Sequence, residues 1–416
     1  MNVKKKIVSV IKHEDILSYS ISSILSTLLV SYAASSIALG IFTFLVINHI
    51  RTSKIKLSLD IALILPIILY LFCCASYFWS VNQQLSIKGI GRLVPLMIIP
   101  FAFSLIPKFT IKSFKLILNG FTISNILLGL FFLIAAIINY LKTGDLMVFV
   151  YHQLVDVLDL NAIYVSVFYS ISFFFLLFKK QKRNIEIFGL GFLGAMILML
   201  SSKMIIASFV LGNIIYLIFY KGISSIKSPK VLLVLLISTI VFATTSGRVV
   251  ERFLIEKTTN FEEVLHREKF NRVYPWTGSS IRILQLRNLK DQIEENHIFW
   301  KGFGLFASRE NLRERHIAFN TYYGYHGYNY HNMYAQILAE VGIFGLITLV
   351  LISVIGIIRA IKSKNFLFFI FYFLMMLAFI TESFLWVHRG IFLFTILHCL
   401  FNRTDFPILN NSNKLN

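Results

Sequence analysis

The sequence predicts an all-α, polytopic membrane fold of about twelve transmembrane helices, and three observations carry that prediction. First, 57% of the 416 residues are hydrophobic and only 14% charged, with a mean hydropathy of +0.74. A soluble domain cannot bury that much apolar surface. Second, several uncharged runs reach the ~20 residues that cross a hydrocarbon core of ~30 Å. They are continuous and lack the dyad alternation of barrel strands, so the spans are helical. Third, the net charge of +20 sits in short basic clusters between apolar runs. Topology determinants have that distribution, and it argues against nucleic acid as a partner.

The elements follow in order from charge. The start MNVKKKIVSVIKHEDILS reads as a basic amphipathic lead-in to a retained first span, without a cleavable-signal pattern. The apolar block 16–47 is too long for one span, and basic clusters flank it (Lys4, Lys5, Lys6 and Lys12 before; Arg51, Lys54 and Lys56 after). With both clusters cytoplasmic, the block is a hairpin turning near SYAASS. The same reasoning makes 185–220 a hairpin turning at SSK, which puts Lys203 at the outer surface; its flanks are the 179–183 run and Lys221, Lys227 and Lys230. Carried along the chain, it gives helices at 16–32, 34–49, 60–79, 93–107, 113–139, 161–178, 185–200, 204–220, 230–246, 332–358, 365–380 and 385–401. Every even-numbered helix exits into a basic flank; Lys108/Lys112/Lys115, Arg359/Lys362/Lys364 and Arg403 complete the set. Both termini are then inside.

The chain therefore divides into helices 1–9 (1–246), a periplasmic loop domain between helices 9 and 10 (247–331), helices 10–12 (332–401) and a cytoplasmic tail (402–416). The loop holds half of all Asp and Glu, with nearly balanced charge. Within it SSIRILQLRNLKDQIEEN reads as an amphipathic helix capped by Ser280, with Leu286, Leu289 and Ile293 on one apolar face and Arg282 on that side. KGFG supplies a glycine turn. Cys73, Cys74 and Cys399 lie inside apolar runs, so no disulfide framework is expected.

His331 stands where the loop meets the tenth span, and Asn332 is a cap for that helix. The positive end of the helix disfavours imidazolium, and a neutral imidazole serves as a general base. The plainer reading is an interfacial histidine among headgroup-anchoring tyrosines. Arg282, Lys203 and Arg92 are fixed cations suited to an anionic substrate, or else snorkelling side chains. Glu340 lies two turns into the tenth span, where an acid is costly and faces protein, as a functional group or a packing hydrogen bond. Glu382 and the pair His388/Arg389 in TESFLWVHRG are further candidates, for which the plainer reading is a local outer-edge ion pair. The tyrosines of TYYGYHGYNYH suit sugar stacking or an interfacial belt. His316, His326 and His331 match no helical metal-ligand spacing, so no metal is expected. The chain lacks a P-loop, a dinucleotide fingerprint and a nucleophile elbow, so no cofactor is expected either.

Many spans, one large late loop and the run YHNMYAQILAEVGIFGL together resemble the O-antigen ligase family, whose superfamily also contains polysaccharide polymerases. The resemblance rests on His331-Asn332 followed by Glu340-Val341-Gly342-Ile343-Phe344-Gly345. SSIRILQLRNLKDQIEENHIFWKGFG resembles the family's Arg-bearing loop helix and Gly-x-Gly turn, and LSSKMIIAS, TESFLWVHRGIFLF and LNAIYVSVFYS resemble further segments. Two positions depart from the pattern: Lys203 stands where Arg is usual, and Asn161 where His is frequent. The resemblance implies a metal-independent glycosyltransferase in the bacterial inner membrane with its site on the periplasmic face. The donor would be a glycan on undecaprenyl diphosphate. The acceptor would be lipid A–core for a ligase or a second lipid-linked glycan for a polymerase. His331 would deprotonate the acceptor while Arg282, Lys203 and Arg92 neutralise the departing diphosphate, supported by Asn332, Glu340, Glu382 and Arg389. A transporter or flippase of this span number would show two related halves, and no such internal symmetry is visible.

Overall fold

The computed structural model describes residues 13–52, 57–179, 181–217, 254, 259–271 and 273–406. The basic lead-in, Lys54, Lys56, Lys180, the Lys221/Lys227/Lys230 flank, the ninth span and the tail beyond 406 lie outside the described residues. Among the described residues the fold is all-α, with one isolated bridge between Phe109 and Thr404.

The helices in order are α1 (His13–Thr27), α2 (Tyr32–Thr52), α3 (Ile61–Ala75), α4 (Gln83–Leu93), α5 (Pro95–Leu105), α6 (Ile111–Thr143), α7 (His152–Val155), α8 (Ala162–Phe178), α9 (Asn184–Met199), α10 (Lys203–Tyr216), α11 (Phe261–His266), α12 (Gly278–Asn296), α13 (Ser308–Ala318), α14 (Met333–Val341), α15 (Ile343–Lys362), α16 (Phe366–Thr381) and α17 (His388–Asn402). Among the described residues, five segments suit a membrane crossing by length and composition: Tyr32–Thr52, Ile61–Trp79, Gln83–Leu105, Ile111–Thr143 and Ile343–Lys362. The protein is a multi-pass membrane protein.

Three departures from the predicted spans have physical causes. The 33 residues of α6 measure about 50 Å at 1.5 Å per residue, so the helix overshoots a hydrocarbon core by about 20 Å. The chain after it turns back through His152–Leu158 and meets α8 at 93°. Irregular backbone of that kind is tolerated in a membrane protein where it lines a cavity. The predicted tenth span is broken at Gly342, between α14 and α15. There Gly302 (φ +66°) and Gly342 (φ +82°) let two backbones touch: a Cβ on Gly342 would overlap the Trp300 carbonyl, and one on Gly302 the Glu340 carbonyl. The KGFG turn is thus the wedge that breaks the span.

α8 is buried on nearly all sides and forms the centre of the bundle, against α6, α9 and α16. At one end of the bundle Arg359 pairs with Asp60 at 2.7 Å and bonds Asn402, Arg403 bonds Ser58 and the Ile106 carbonyl, and Lys108 pairs with Asp405. These are the cations predicted to mark one side. The opposite end gathers the loop domain: Trp79 Nε1 donates to the Lys301 carbonyl, Val81 N–H to that of Phe303, and Leu305 N–H to Ser76 Oγ.

The loop segment has its own small cores. Val264, Phe270, Ile281 and Leu284 pack under α11 and α12, while Leu289, Ile298, Phe303, Leu312 and Tyr330 seat the loop on α14. The α12 reading needs two corrections. Its N-cap is Thr277, with Ser280 three residues later completing a reciprocal capping box. Its buried face is Ile281, Leu284, Gln285, Asn288, Leu289 and Gln292, and Leu286 faces outward. Two of the buried amides have distant partners: Gln292 accepts from the Tyr330 hydroxyl at 2.6 Å, and Gln285 meets His316 at 2.9 Å. Apolar periodicity alone does not find a face built partly from hydrogen-bonded amides.

Candidate active site

His331 is held by local backbone chemistry. It has φ +45°, a left-handed conformation that costs a non-glycine residue on the order of 1–3 kcal/mol. Asn329 Oδ1 accepts its N–H at 2.8 Å, and Asn332 then caps α14, Oδ1 accepting from Ala335 N–H at 2.9 Å. Asn332 Nδ2 donates to the Ile380 carbonyl, so the cap also ties α14 to the end of α16. The His331 ring meets Tyr328 edge-on at 4.9 Å.

One residue past α16, Glu382 turns its carboxylate inward at 6% side-chain exposure. One oxygen takes Arg282 Nη2 at 3.1 Å, and the other lies 3.5 Å from His331 Nδ1. That second approach is an ion-pair distance without hydrogen-bond alignment. Arg282 also donates from Nε to the Thr381 carbonyl and from Nη1 to the Gly278 carbonyl. Three of the five N–H donors of a guanidinium are thereby used. Arg282, Glu382 and His331 form one chain of contacts across α12, the α16–α17 turn and the start of α14. Glu382 is therefore not the local partner of His388/Arg389 suggested by TESFLWVHRG. His388 Nε2 meets Ser36 Oγ instead, and Arg389 donates to the Leu28 carbonyl at 3.0 Å and the Tyr32 hydroxyl at 2.5 Å.

His331, Glu382 and Arg389 line a cavity of about 240 Å³, together with Tyr32, Asp159, Asn161 and Tyr164. The right-angle bend before α8 delivers Asp159 and Asn161 to it. Asn161 caps α8 through Ile163 N–H, and His152 Nδ1 accepts the neighbouring Ala162 N–H at 3.2 Å. An imidazole thus stands beside the position where the resemblance expects histidine, supplied from nine residues upstream. Tyr32, Asp159 and Tyr164 carry no sequence signal of their own, because they come from unrelated segments of the chain.

Glu340 is fully buried and accepts four hydrogen bonds: Phe306 N–H at 2.6 Å, Trp386 Nε1 at 2.8 Å, Ser308 Oγ at 3.0 Å and Gln336 Nε2 at 2.5 Å. It knits the loop domain to α14 and the α16–α17 turn. Lys203 opens α10, just past Met199, whose carbonyl accepts from Tyr151 N–H. Arg92 ends α4 with its guanidinium over the Phe306 ring, which Arg309 also covers. The tyrosines divide. Tyr330 is buried, and its hydroxyl is raised by burial, whereas Tyr322 and Tyr323 are exposed. Among the described residues no group of three His, Cys, Asp or Glu converges as metal ligands would.

Residues 188–350 match the family model described as O-Antigen ligase. The matched segment contains Lys203, Arg282, His331, Asn332 and Glu340. Over those residues the chain is similar to the O-antigen ligase family. Comparison with curated proteins finds no match.

Proposed function

We propose that the protein is an O-antigen ligase of the bacterial inner membrane, with twelve spans and its site on the periplasmic face. It would transfer a glycan from undecaprenyl diphosphate to a hydroxyl of lipid A–core without a metal ion. The observation that carries this reading is the Arg282–Glu382–His331 contact chain beside a cavity that also holds Arg389. In the reaction, the imidazole of His331 takes the acceptor proton. The acceptor oxygen bonds to the anomeric carbon, and the carbon–oxygen bond to the diphosphate breaks with its electron pair on the leaving oxygen. Glu382 faces Nδ1, so it orients the ring with Nε2 toward the substrate and stabilises the imidazolium that forms. The guanidinium of Arg389, with the donors Arg282 has left and the ammonium of Lys203, neutralises the departing diphosphate. The exposed Tyr322 and Tyr323 offer faces for sugar rings.

A deletion strain examined by lipopolysaccharide gel tests this. Core without attached glycan is the expected result. Core carrying a single repeat unit assigns the polymerase reaction instead, which shares the donor and chemistry but uses a second lipid-linked glycan as acceptor. An unchanged gel refutes both. Transfer by purified protein is expected to survive EDTA within about twofold; loss restored by a divalent ion overturns the metal-free mechanism.

A further inference from the structure

A second hollow, of about 370 Å³, lies between α4, α13 and the tyrosine loop. Lys88 and Arg92 are four residues apart on α4, hence on one face. Arg309 and Arg313 repeat that spacing on α13. Lys88, Arg309 and Arg313 line the hollow with His326 and Tyr328, while Arg92 stands beside it with its guanidinium 5.2 Å from the Phe306 ring that Arg309 covers at 4.8 Å. Burial lowers the pKa of Arg309; the Glu340 charge opposes that shift, and the Arg92 charge adds to it by a smaller amount. Among the described residues none of the four makes an ion pair, and Glu310 is the lone carboxylate in the lining. The nearby Glu340 is committed to its four hydrogen bonds. Four cations outnumber the carboxylates near them, and their mutual repulsion is relieved when an anion bridges them. Tyr328 belongs to this lining and also contacts His331, so the hollow adjoins the His331 ring through that tyrosine.

We propose that this hollow binds a phosphate group of the acceptor glycolipid, next to the tyrosine that contacts His331 and apart from the cavity lined by His331, Glu382 and Arg389. This rests on the glycosyl-transfer reading above. Lys88 and Arg313 hold the acceptor phosphate directly, and Arg92 and Arg309 set the field around it. Separate anion sites explain how one enzyme holds two polyanionic lipids without the acceptor competing for the donor's cations.

The test uses the full-length protein in phosphatidylcholine vesicles and the double variant K88Q/R313Q, whose side chains are exposed. KM for a phosphorylated acceptor should rise at least about tenfold, as expected for losing charge-assisted hydrogen bonds, while donor KM holds within twofold. With a dephosphorylated acceptor, wild type and variant should be equally poor. An unchanged acceptor KM, an equal loss with both acceptors, or a loss that depends only on added phosphatidylglycerol overturns the proposal; the last would assign the cations to bulk lipid. If wild type transfers no glycan, the proposed function fails, and the site is judged by binding alone. Inorganic pyrophosphate should then raise the thermal midpoint of an Arg389→Gln protein but not of the same protein carrying K88Q/R313Q. Equal response of the two refutes the site.

Discussion

Replacing Glu382 by Gln keeps the shape of the side chain and removes its charge. In the folded protein that carboxylate faces two cationic groups, Arg282 at 3.1 Å and, once it has taken a proton, His331 at 3.5 Å. The attraction between unit charges at 3.5 Å is about 1 kcal/mol in water and about 5 kcal/mol at an effective dielectric of 20. With the carboxylate 6% exposed, the larger figure is the nearer bound. Stabilisation of an imidazolium present only as the acceptor is deprotonated lowers the barrier and not the ground state. E382Q should therefore reduce kcat by about 10- to 10³-fold with little change in donor KM, since each ~1.4 kcal/mol is tenfold in rate. Glu382→Asp, which keeps the charge, should restore part of the loss. The assay is glycan transfer by purified protein from a lipid-linked donor, with the thermal midpoint measured in parallel. An E382Q enzyme within twofold of wild type refutes the orienting role. Equal loss in E382D and E382Q, tracking a lowered midpoint, shows that the carboxylate only holds the fold.

Other expectations follow from the same geometry. His331→Ala should abolish transfer by purified protein while leaving the protein folded in the membrane; retained transfer removes His331 from the mechanism. His331→Gly relieves the left-handed strain at φ +45° and should raise stability by about 1 kcal/mol in denaturant titration, again without transfer. Gly342→Ala forces a Cβ into the Trp300 carbonyl from a glycine-only conformation and should cost at least about 3 kcal/mol, read as loss of folded protein in detergent. Burial, with a smaller effect from His326, lowers the His316 pKa to about 4 from an ordinary value of 6.5. A depressed folded value means the unfolded loop binds the proton more readily, so the stability it supports is full above pH 6.5 and falls as pH drops toward 4. The loss approaches about 3 kcal/mol at ~1.4 kcal/mol per pH unit. Proteolysis of the 259–330 segment should accelerate across that window, and His316→Gln should flatten the dependence.

Composition and charge clusters determine that this chain is a helical membrane protein, because a bilayer forces long apolar runs and a basic bias on alternate ends. They also mark the loop, and the Asn332 cap and the glycines Gly302 and Gly342 are local chemistry that neighbouring residues reveal. The break of the tenth span at Gly342 is hidden in the sequence, since it needs the Trp300 turn to arrive from 42 residues away. The face of α12 departs from apolar periodicity because the buried Gln292 and Gln285 bond the distant Tyr330 and His316, and periodicity carries no trace of them. Only the tertiary structure pairs Glu382 with Arg282, one hundred residues apart, in place of the adjacent Arg389. It alone bends Asp159 and Asn161 into the His331 cavity and sets Arg92 beside Arg309. Sequence spacing encodes neighbours along one helix, whereas a site assembled from segments of different helices is fixed by how those helices pack.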